Sequence, residues 1–269
     1  MNNPLSEPLS FDRVAAQYER TRPLPDAVAD SVATHIAGLV GPDEWILDAG
    51  CGTGRFTRAL AKQQARVVGA DVSPQMLAEL RRYQADFPQP VLVTSDLRTL
   101  PFPDAQFGAV LAIHVLHLIA EWRQALGEMW RVTAPGGFLL LGYEDRSPSQ
   151  VRDFYMTEGQ RRGLLPRHPG ARNITADILP FLRSECGATD VESVSPPEWE
   201  WSRPIRVADM LADLDSRLYS SQWNIPEAAH REVMAATRAN AKKVFGSPGD
   251  TKHETQETRF VLYRVRKGE

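Results

Sequence analysis

The sequence has few of the features that mark disulfide-rich, membrane-spanning or nucleic-acid-binding proteins. Its 269 residues include only two cysteines, Cys51 and Cys186, and neither lies in a CxxC pair or a His/Cys cluster. We therefore expect neither a disulfide framework nor a bound metal. The longest apolar run, residues 107–120, is too short to span a bilayer and contains two histidines. Acidic residues number 34 and basic residues 31, and this net charge of -3 predicts no nucleic-acid partner.

The first residues also lack the pattern of a secretion signal. Residues 1–13 contain neither a basic stretch nor the apolar segment that follows it in signal peptides. With 42% hydrophobic residues, the chain has enough apolar material for one large domain, or for one domain with an insertion. We expect a cytoplasmic protein, monomeric or homodimeric, without a membrane segment.

The first half of the sequence alternates short apolar runs with helical patterns. The helical patterns occupy residues 54–64, 74–84 and 121–131. Most of the apolar runs are continuous, as expected for parallel strands with helices on both faces, and they lie at residues 45–48, 67–70, 91–94, 109–114 and 138–142. This order predicts an α/β fold with a doubly wound, Rossmann-like and mostly parallel sheet.

The second half of the sequence has a different pattern. Two more strands are predicted at residues 189–195 and 258–266, which brings the sheet to seven strands. No βαβ crossover joins these two strands, so the last one is expected to run antiparallel. Residues 196–256, between them, are predicted to form a helical insertion in which one helix begins at Pro226 and ends before Gly246.

A proline lies in the segment that precedes these strands. Pro180 is tolerated in the first turn of a short helix that begins with Asp177 as its N-cap, because a proline there removes no helical hydrogen bond. A helix with an earlier start is expected to be distorted at this proline. The sequence leaves both alternatives open.

Residues 46–54 combine a strand with a glycine-rich turn into a helix, an arrangement that suits a nucleotide-like ligand. The next strand ends in Asp71, whose carboxylate can accept hydrogen bonds from a ribose diol; alternatively it caps the following helix, a role that Ser73 can fill alone. A dinucleotide-binding turn requires Gly-x-Gly-x-x-Gly, but here the third glycine, Gly54, comes one position early and is followed by Arg55. This spacing argues against NAD.

These motifs resemble those of class I S-adenosylmethionine-dependent methyltransferases of the small-molecule, "methyltransferase type 11" kind. The resemblance covers about residues 40–143. The first three motifs of the family correspond to residues 47–54, 71–77 and 95–102, and its fourth and fifth strand regions to residues 107–114 and 131–137. The resemblance implies that S-adenosyl-L-methionine is the cofactor and S-adenosyl-L-homocysteine the product.

The resemblance also implies a set of cofactor contacts. The glycine turn surrounds the methionine part, Asp96 faces the adenine amino group, and Tyr18 and Arg22 close over the cofactor unless they belong to an ordinary surface helix. Cys51 lacks a nearby basic partner in sequence, so it is expected to fill the turn rather than act as a nucleophile. The implied contacts are Tyr18, Arg22, Asp48, Gly50, Cys51, Gly52, Thr53, Gly54, Asp71, Val72, Met76, Ser95, Asp96, Leu97 and His114.

His114 and His117 are the candidate catalytic residues. His114 ends the fourth predicted strand, at the edge where doubly wound sheets bind ligands, and His117 follows within one turn. Either can serve as a base, or can pack beside the cofactor without proton transfer. The sequence lacks Asn/Asp-Pro-Pro-Tyr here, which is the motif of family members that methylate nucleic-acid bases or glutamine.

The expected function is methyl transfer to a small-molecule acceptor by in-line displacement. A nicotinamide-dependent oxidoreductase and a non-catalytic cofactor-binding protein are the alternatives, since fold does not fix function.

The expected organisation has four parts. They are an N-terminal helical segment over the cofactor site (1–40), the cofactor-binding core (41–195), a helical lid or insertion (196–256) and the final strand (257–269). The insertion is either a lid over the cofactor edge or a dimerisation arm. Its aromatic residues either enclose the acceptor or anchor the insertion to the sheet, and they are Trp199, Trp201, Tyr219 and Trp223.

Overall fold

The computed structural model describes residues 24–82, 88–165, 169–223, 225–246 and 252–268. Tyr18 and Arg22 lie outside the described residues. Within these ranges the strands are β1 (Trp45–Ala49), β2 (Arg66–Asp71), β3 (Val91–Thr94), β4 (Phe107–Ile113), β5 (Thr133–Arg146), β6 (Asp190–Val194), β7 (Glu200–Arg206) and β8 (His253–Arg266). The α-helices are α1 (Asp26–Ala37), α2 (Arg55–Lys62), α3 (Pro74–Arg82), α4 (Trp122–Val132), α5 (Arg152–Arg161), α6 (Leu179–Glu185), α7 (Val207–Asp215) and α8 (Glu227–Phe245). None of these helices is long and apolar enough to cross a bilayer.

The strands form one sheet in the order β3-β2-β1-β4-β5-β8-β6. The first five strands of this order pair in parallel, and β8 runs antiparallel to both β5 and β6. Strand β4 is buried at six successive positions because helices cover both faces of the parallel part. The predicted fold class, including the antiparallel last strand, is therefore confirmed.

The sheet has eight strands rather than the predicted seven. The additional strand, β7, lies at the start of the segment predicted to be helical, and it pairs antiparallel with the first half of β8. Its side chains alternate between exposed and half-buried, which is the period of a strand with one covered face. Pro204 is tolerated because β7 pairs only with β8 in the described part of the sheet, so the missing N–H interrupts no second ladder. Correspondingly, β8 begins at His253 and not at residue 258.

Strand β5, with the antiparallel strands β7 and β8 beside it, continues beyond the carboxyl ends of β1 to β4. The last residue of β5 that pairs with β4 is Gly142. Beyond it, β5 pairs only with β8, which pairs with β7 on its other side. We call residues 143–146, 200–206 and 253–261 the strand extension. Doubly wound sheets bind ligands at the carboxyl edge, so the strand extension borders the expected site.

Helices α5, α7 and α8 form a helical cap with its own apolar core. Within it, Tyr155 Oη lies 2.9 Å from Nδ1 of His230, and both side chains are buried. The sequence correctly predicted Pro226 before α8 and Gly246 after it. The amphipathic faces of α7 and α8 are buried in this core, which comprises Val151, Tyr155, Leu165, Val207, Met210, Leu211, Leu214, Ile225, Ala229, Val233, Met234 and Ala241.

The helix before β6 starts earlier than Asp177, so of the two alternatives that the sequence left open, the one with Asp177 as N-cap does not hold. Asn173 occupies that position, and its side chain accepts a hydrogen bond of 2.9 Å from a backbone N–H three residues later. The first turn, Ile174–Ile178, is a π-helix, and α6 follows it. Because Pro180 lacks an N–H, the regular hydrogen-bond ladder changes here, as the earlier-start alternative predicts.

Candidate active site

The glycine turn connects β1 to α2 at the carboxyl edge of the sheet. Gly50 and Gly54 have φ angles of 78° and 81°, in the left-handed region that favours glycine. A Cβ atom on Gly54 would lie 2.2 Å from a methyl carbon of Leu80, and one on Gly50 would lie 2.5 Å from a methyl carbon of Val115. Both positions therefore exclude larger residues, and the turn presents backbone rather than side chains.

Asp71, at the end of β2, holds the glycine turn in place. One carboxylate oxygen accepts a hydrogen bond from the N–H of Gly52 and the other from the N–H of Ser73, each at 2.8 Å. The hydroxyl of Ser73 accepts a hydrogen bond from the N–H of Met76 at 3.1 Å, so the serine caps α3. A carboxylate oxygen has two lone pairs, so Asp71 can still accept ribose hydroxyls. The sequence did not predict the support that Asp71 provides to the turn.

Asp48 is buried beneath the turn, where Thr57 Oγ1 donates a 2.6 Å hydrogen bond to its carboxylate. Burial raises the pKa of Asp48 to about 6, with a further increase from the charge of Asp71, although the hydrogen bond from Thr57 lowers it. Burial and these two carboxylates also raise the pKa of the Cys51 thiol well above its ordinary value. Cys51 is therefore an uncharged thiol packed inside the turn.

Asp96 follows β3, and its carboxylate is bound by Arg98. The Nη2 and Nε atoms of Arg98 lie 2.6 Å and 3.0 Å from Oδ2 of Asp96, and this bonding lowers the pKa of Asp96. The adenine role of Asp96 stays a prediction. Of the other predicted cofactor contacts, those that are buried are Thr53, Met76, Ser95 and Leu97, while Val72 is half-buried.

His114 and His117 line the same cavity, whose volume is about 400 Å³. It lies at the ends of β4 and β5, and the stacked rings of Tyr143 and Tyr263, 6.4 Å apart, form part of its wall. His117 lies in a single 3₁₀ turn, and His114 has a φ of 54°, which is uncommon outside glycine. The fold therefore brings both candidate histidines to one cavity of small-molecule size.

Glu144 on β5 is a site residue that the sequence interpretation missed. Its side chain is 2% exposed, and its carboxylate binds Arg146 and lies 3.2 Å from Nη1 of Arg55 and 3.8 Å from Nε2 of His114. Burial by itself raises the pKa of Glu144, but hydrogen bonding to His114 and the charge of Arg146 hold this pKa well below its usual range. Arg55 directly follows Gly54, so Glu144 connects the glycine turn to the strand extension.

Two of the insertion's aromatic residues have structural partners. Trp199 is 1% exposed, its Nε1 donates a 3.1 Å hydrogen bond to Ser31 Oγ on α1, and its ring meets His35 edge-on. Trp223 Nε1 donates to the backbone carbonyl of Arg217 at 3.1 Å. Trp199 thus anchors the insertion to the core, one of the two alternatives that the sequence left open.

The described residues contain no group of three or more His, Cys, Asp or Glu side chains that could hold a metal ion. Cys51 and Cys186 are both free thiols.

Comparison with known proteins identifies the region around this site. The family model described as "Methyltransferase domain" matches residues 47–141. The chain is 34% identical over 131 residues to the malonyl-[acyl-carrier protein] O-methyltransferase of Serratia marcescens, a match that covers 49% of each chain. It is 35% identical over 161 residues to the demethylmenaquinone methyltransferase of Tropheryma whipplei (strain Twist), a match that covers 58% of this chain and 66% of the relative. The chain thus spans between about half and two thirds of the length of these curated relatives.

Solved structures share the fold. Phosphoethanolamine N-methyltransferase 2 of Haemonchus contortus, in complex with phosphomonomethylethanolamine and S-adenosylhomocysteine, matches with a TM-score of 0.54 at 15% sequence identity. That match covers 96% of this chain and 58% of the other, and at this identity it shows the fold alone. The family match includes the glycine turn, Asp71 and both candidate histidines. Residues 47–141 thus form a methyltransferase domain of the class I S-adenosylmethionine-dependent kind, and S-adenosylmethionine is the cofactor of this family.

Proposed function

We propose that this chain transfers the methyl group of S-adenosylmethionine to a small-molecule acceptor bound in the cavity beside His114 and His117. The observation that carries the proposal is the position of this cavity relative to the glycine turn. Val115 lines the cavity, and its side chain also packs directly against Gly50 of the turn. A methyl donor bound by the turn therefore adjoins the cavity, whose volume of about 400 Å³ suits a small molecule.

The reaction is an in-line displacement at the methyl carbon. A nucleophilic atom of the acceptor bonds to that carbon while the carbon–sulfur bond breaks. The electron pair of the broken bond remains on sulfur, and the sulfonium becomes a neutral thioether. The protein contributes chiefly by holding the three atoms in line. Where the nucleophile must lose a proton, the imidazole of His117 accepts it.

Each part of the cofactor has a proposed partner at the carboxyl edge. The glycine turn holds the methionine part, Asp71 accepts the ribose hydroxyls and Asp96 faces the adenine. His114, which lies 3.8 Å from the Glu144 carboxylate, positions the cofactor and the acceptor rather than accepting a proton. This division leaves His117 as the base.

The helical cap and the strand extension form a lid over this site in our proposal. Support comes from the apolar faces of α7 and α8, which are buried within the cap and so are not available to a second chain. Hydrogen exchange on the amides of α7 separates a lid from a dimerisation arm. Added S-adenosylhomocysteine should protect them at fixed protein concentration. Protection that depends on protein concentration alone would identify the arm.

Calorimetry with S-adenosylhomocysteine and NAD tests the cofactor proposal. We expect the first to bind and NAD not to bind. Asp71→Ala should weaken S-adenosylhomocysteine binding by about 1–3 kcal/mol, because a charged acceptor and the support of the turn are lost. Asp43→Ala, at a side chain that is 90% exposed, is the matched control and should leave the affinity unchanged. Preferential NAD binding would contradict the proposal.

A transfer assay tests the chemistry. Protein and radiolabelled S-adenosylmethionine are incubated with a metabolite extract, and label should appear in a small molecule. His117→Gln should lower this turnover without changing the affinity for S-adenosylhomocysteine. Equal turnover in the variant would exclude His117 as the base.

A further inference from the structure

Arg203 on β7 is a half-buried cation that forms no ion pair with any described carboxylate. Its hydrogen-bond partner is the side-chain oxygen of Gln256, at the long distance of 3.5 Å. Burying a guanidinium without an opposite charge costs free energy, and that cost is recovered when an anion binds. Arg203 therefore marks a position where an anionic ligand would be stabilised.

A second arginine projects from the same face of the strand extension. Arg146 on β5 lies opposite Thr258 of β8, and Arg203 on β7 lies opposite Gln256 of β8. Opposite residues on antiparallel strands share a face, and so do residues two apart on one strand. The two arginines are thus two strand spacings apart and offset by two residues along the strands, about 12 Å between Cα atoms, which two long side chains can bridge. Thr258 and Gln256 between them are buried polar residues, and Trp201, opposite Thr258 on β7, shares this face.

Tyr219 lies beside these arginines. Burial and the charge of Asp213 raise its pKa, while the charges of Arg152, Arg146 and Arg203 act in the opposite direction. The phenol is therefore neutral and can donate a hydrogen bond, and it is near enough to the guanidinium groups to respond to their charges. Burial and the charge of Arg146 lower the pKa of Arg203, as expected for two guanidinium groups on one face of neighbouring strands.

We propose that Arg203, Arg146 and Tyr219 form a subsite for a carboxylate group of the methyl acceptor, an inference that rests on the proposed function. A guanidinium binds a carboxylate through two parallel hydrogen bonds, and the phenol adds a third donor. The carboxylates of Glu144 and Asp213 lie nearby. With these two carboxylates nearby the site has little net positive charge, so it does not offset the larger desolvation cost of a doubly charged phosphate, and the carboxylate is favoured.

Glu144 connects this subsite to the acceptor cavity. Its carboxylate binds Arg146 on one side, and on the other side it lies 3.8 Å from Nε2 of His114, which lines the cavity. One buried side chain thus separates the subsite from the cavity. The two arginines project from the face of β5 opposite to Tyr143 and Tyr263, so an acceptor reaches them over the carboxyl edge beside His114, where the pairing of β4 with β5 has ended.

Calorimetry on the protein saturated with S-adenosylhomocysteine tests the subsite with three probes. We expect benzoate to bind, and its neutral analogue benzamide to bind at least about tenfold more weakly, because it lacks the charge-assisted hydrogen bonds. Inorganic phosphate should bind more weakly than benzoate. Equal affinity for benzoate and benzamide, or tighter binding of phosphate, would overturn the carboxylate subsite.

Variants assign the binding to these residues. Arg203→Gln should weaken benzoate binding at least about tenfold, and Arg203→Lys should recover part of it. Arg206→Gln is the matched control on the same strand, because Arg206 faces outward and pairs with Asp209; it should leave benzoate binding unchanged. Tyr219→Phe should cause a smaller loss of benzoate affinity. It provides a second test if the Arg203→Gln variant folds poorly.

The affinity for S-adenosylhomocysteine, measured in the same samples, keeps the two proposals distinct. It should be equal in all folded variants. Benzoate binding that is unaffected by both Arg203→Gln and Tyr219→Phe would overturn the subsite and leave the methyltransferase proposal intact. Failure of the unaltered protein to bind S-adenosylhomocysteine would instead overturn the proposed function.

Discussion

The two halves of the carboxyl edge present different groups, backbone in one and charged side chains in the other. Around β1 and β2 the edge consists mostly of backbone, because glycines at positive φ bring N–H groups to the ligand side and Asp71 holds them there. Around β5, β7 and β8 it consists of charged side chains, among them Glu144 and Arg203, whose partners come from distant parts of the chain. A site made of backbone needs a contiguous motif, whereas a site made of side chains needs the complete fold. We therefore expect substitutions in the two halves to have different effects.

Gly54→Ala should have the largest effect, and it tests the half of the edge around β1 and β2, which we call the backbone half. A left-handed conformation costs a non-glycine residue about 1–2 kcal/mol, and overpacking against buried Leu80 costs about 1–3 kcal/mol more. We expect a loss of about 2–5 kcal/mol in the free energy of unfolding, measured in urea, together with loss of S-adenosylhomocysteine binding.

Gly127→Ala on α4 is the control for this substitution, since no heavy atom lies within 4 Å of its added Cβ. It should stabilise the protein by about 0.5–1 kcal/mol, because alanine is the better helix former. Similar results for the two glycines would remove the distinction between the halves.

Glu144→Gln tests the half of the edge around β5, β7 and β8, which we call the side-chain half. Removing this buried charge takes away a carboxylate that binds both Arg55 and Arg146, and we expect a loss of about 3 kcal/mol at pH 7. Asp145→Asn, on the next residue of β5, removes an ion pair that is about half exposed on both sides and should cost less than about 0.5 kcal/mol.

The pH dependence of the Glu144→Gln effect checks its origin. Because the folded pKa of Glu144 lies below its unfolded value, its stabilisation is present above the unfolded pKa and is lost as pH falls toward the folded one. The difference between the two proteins should therefore shrink below about pH 4.5. A constant difference would mean that packing, and not charge, explains the loss.

Asp48→Asn tests whether the backbone half also depends on a buried charge. The folded pKa of Asp48, about 6, exceeds its unfolded value of 3.8, so ionisation destabilises the fold as pH rises between these values. Relative to the unaltered protein, the variant should gain about 2–3 kcal/mol between pH 4 and pH 7. Thr57→Val should move this transition to higher pH, because the hydrogen bond that lowers the pKa is lost. Parallel pH profiles of unfolding would contradict this.

Tyr155→Phe should have the smallest effect and tests whether the cap is energetically separate from the core. The variant loses a buried hydrogen bond to His230, worth about 1 kcal/mol. Hydrogen exchange should become faster in α8, while the amides of β4 serve as the internal control and should not change. An equal increase in both elements would show that cap and core unfold as one unit.

The difference between contiguous motifs and partners that are distant in sequence also explains which strands the sequence predicted. Strands β1 to β5 were recognised because each contains a continuous apolar run. Strand β7 was missed because Glu200–Arg206 contains a proline and three charged residues, and only its pairing with a distant part of β8 makes it a strand. The π-turn before Pro180 was foreseen only as a distortion, since sequence does not show which hydrogen-bond pattern absorbs a missing N–H.

Site residues were likewise predictable only where the residues that they work with are close in sequence. Gly54 and Asp71 were predictable because the turn and the following strand end are close in sequence, and the position of His114 followed from the end of β4. Thr57 was not predictable, because its contact with Asp48 depends on how α2 lies against β1. Glu144 gave one usable signal, which is an acidic residue shortly after the apolar run of β5, toward the carboxyl edge.

The position of β8 in the sheet affects the order in which this chain can fold. β8 is the partner of β5 on the side away from β4, and it begins only at residue 253. During synthesis, the 14 residues of β5 therefore emerge with one row of backbone donors and acceptors open until residues 253–266 are made. Pairing of β5 with β8 closes the longest loop in the sheet, and such non-local pairing is slow. The parallel half can form early during translation, whereas the half that carries Glu144 and Arg203 is completed last.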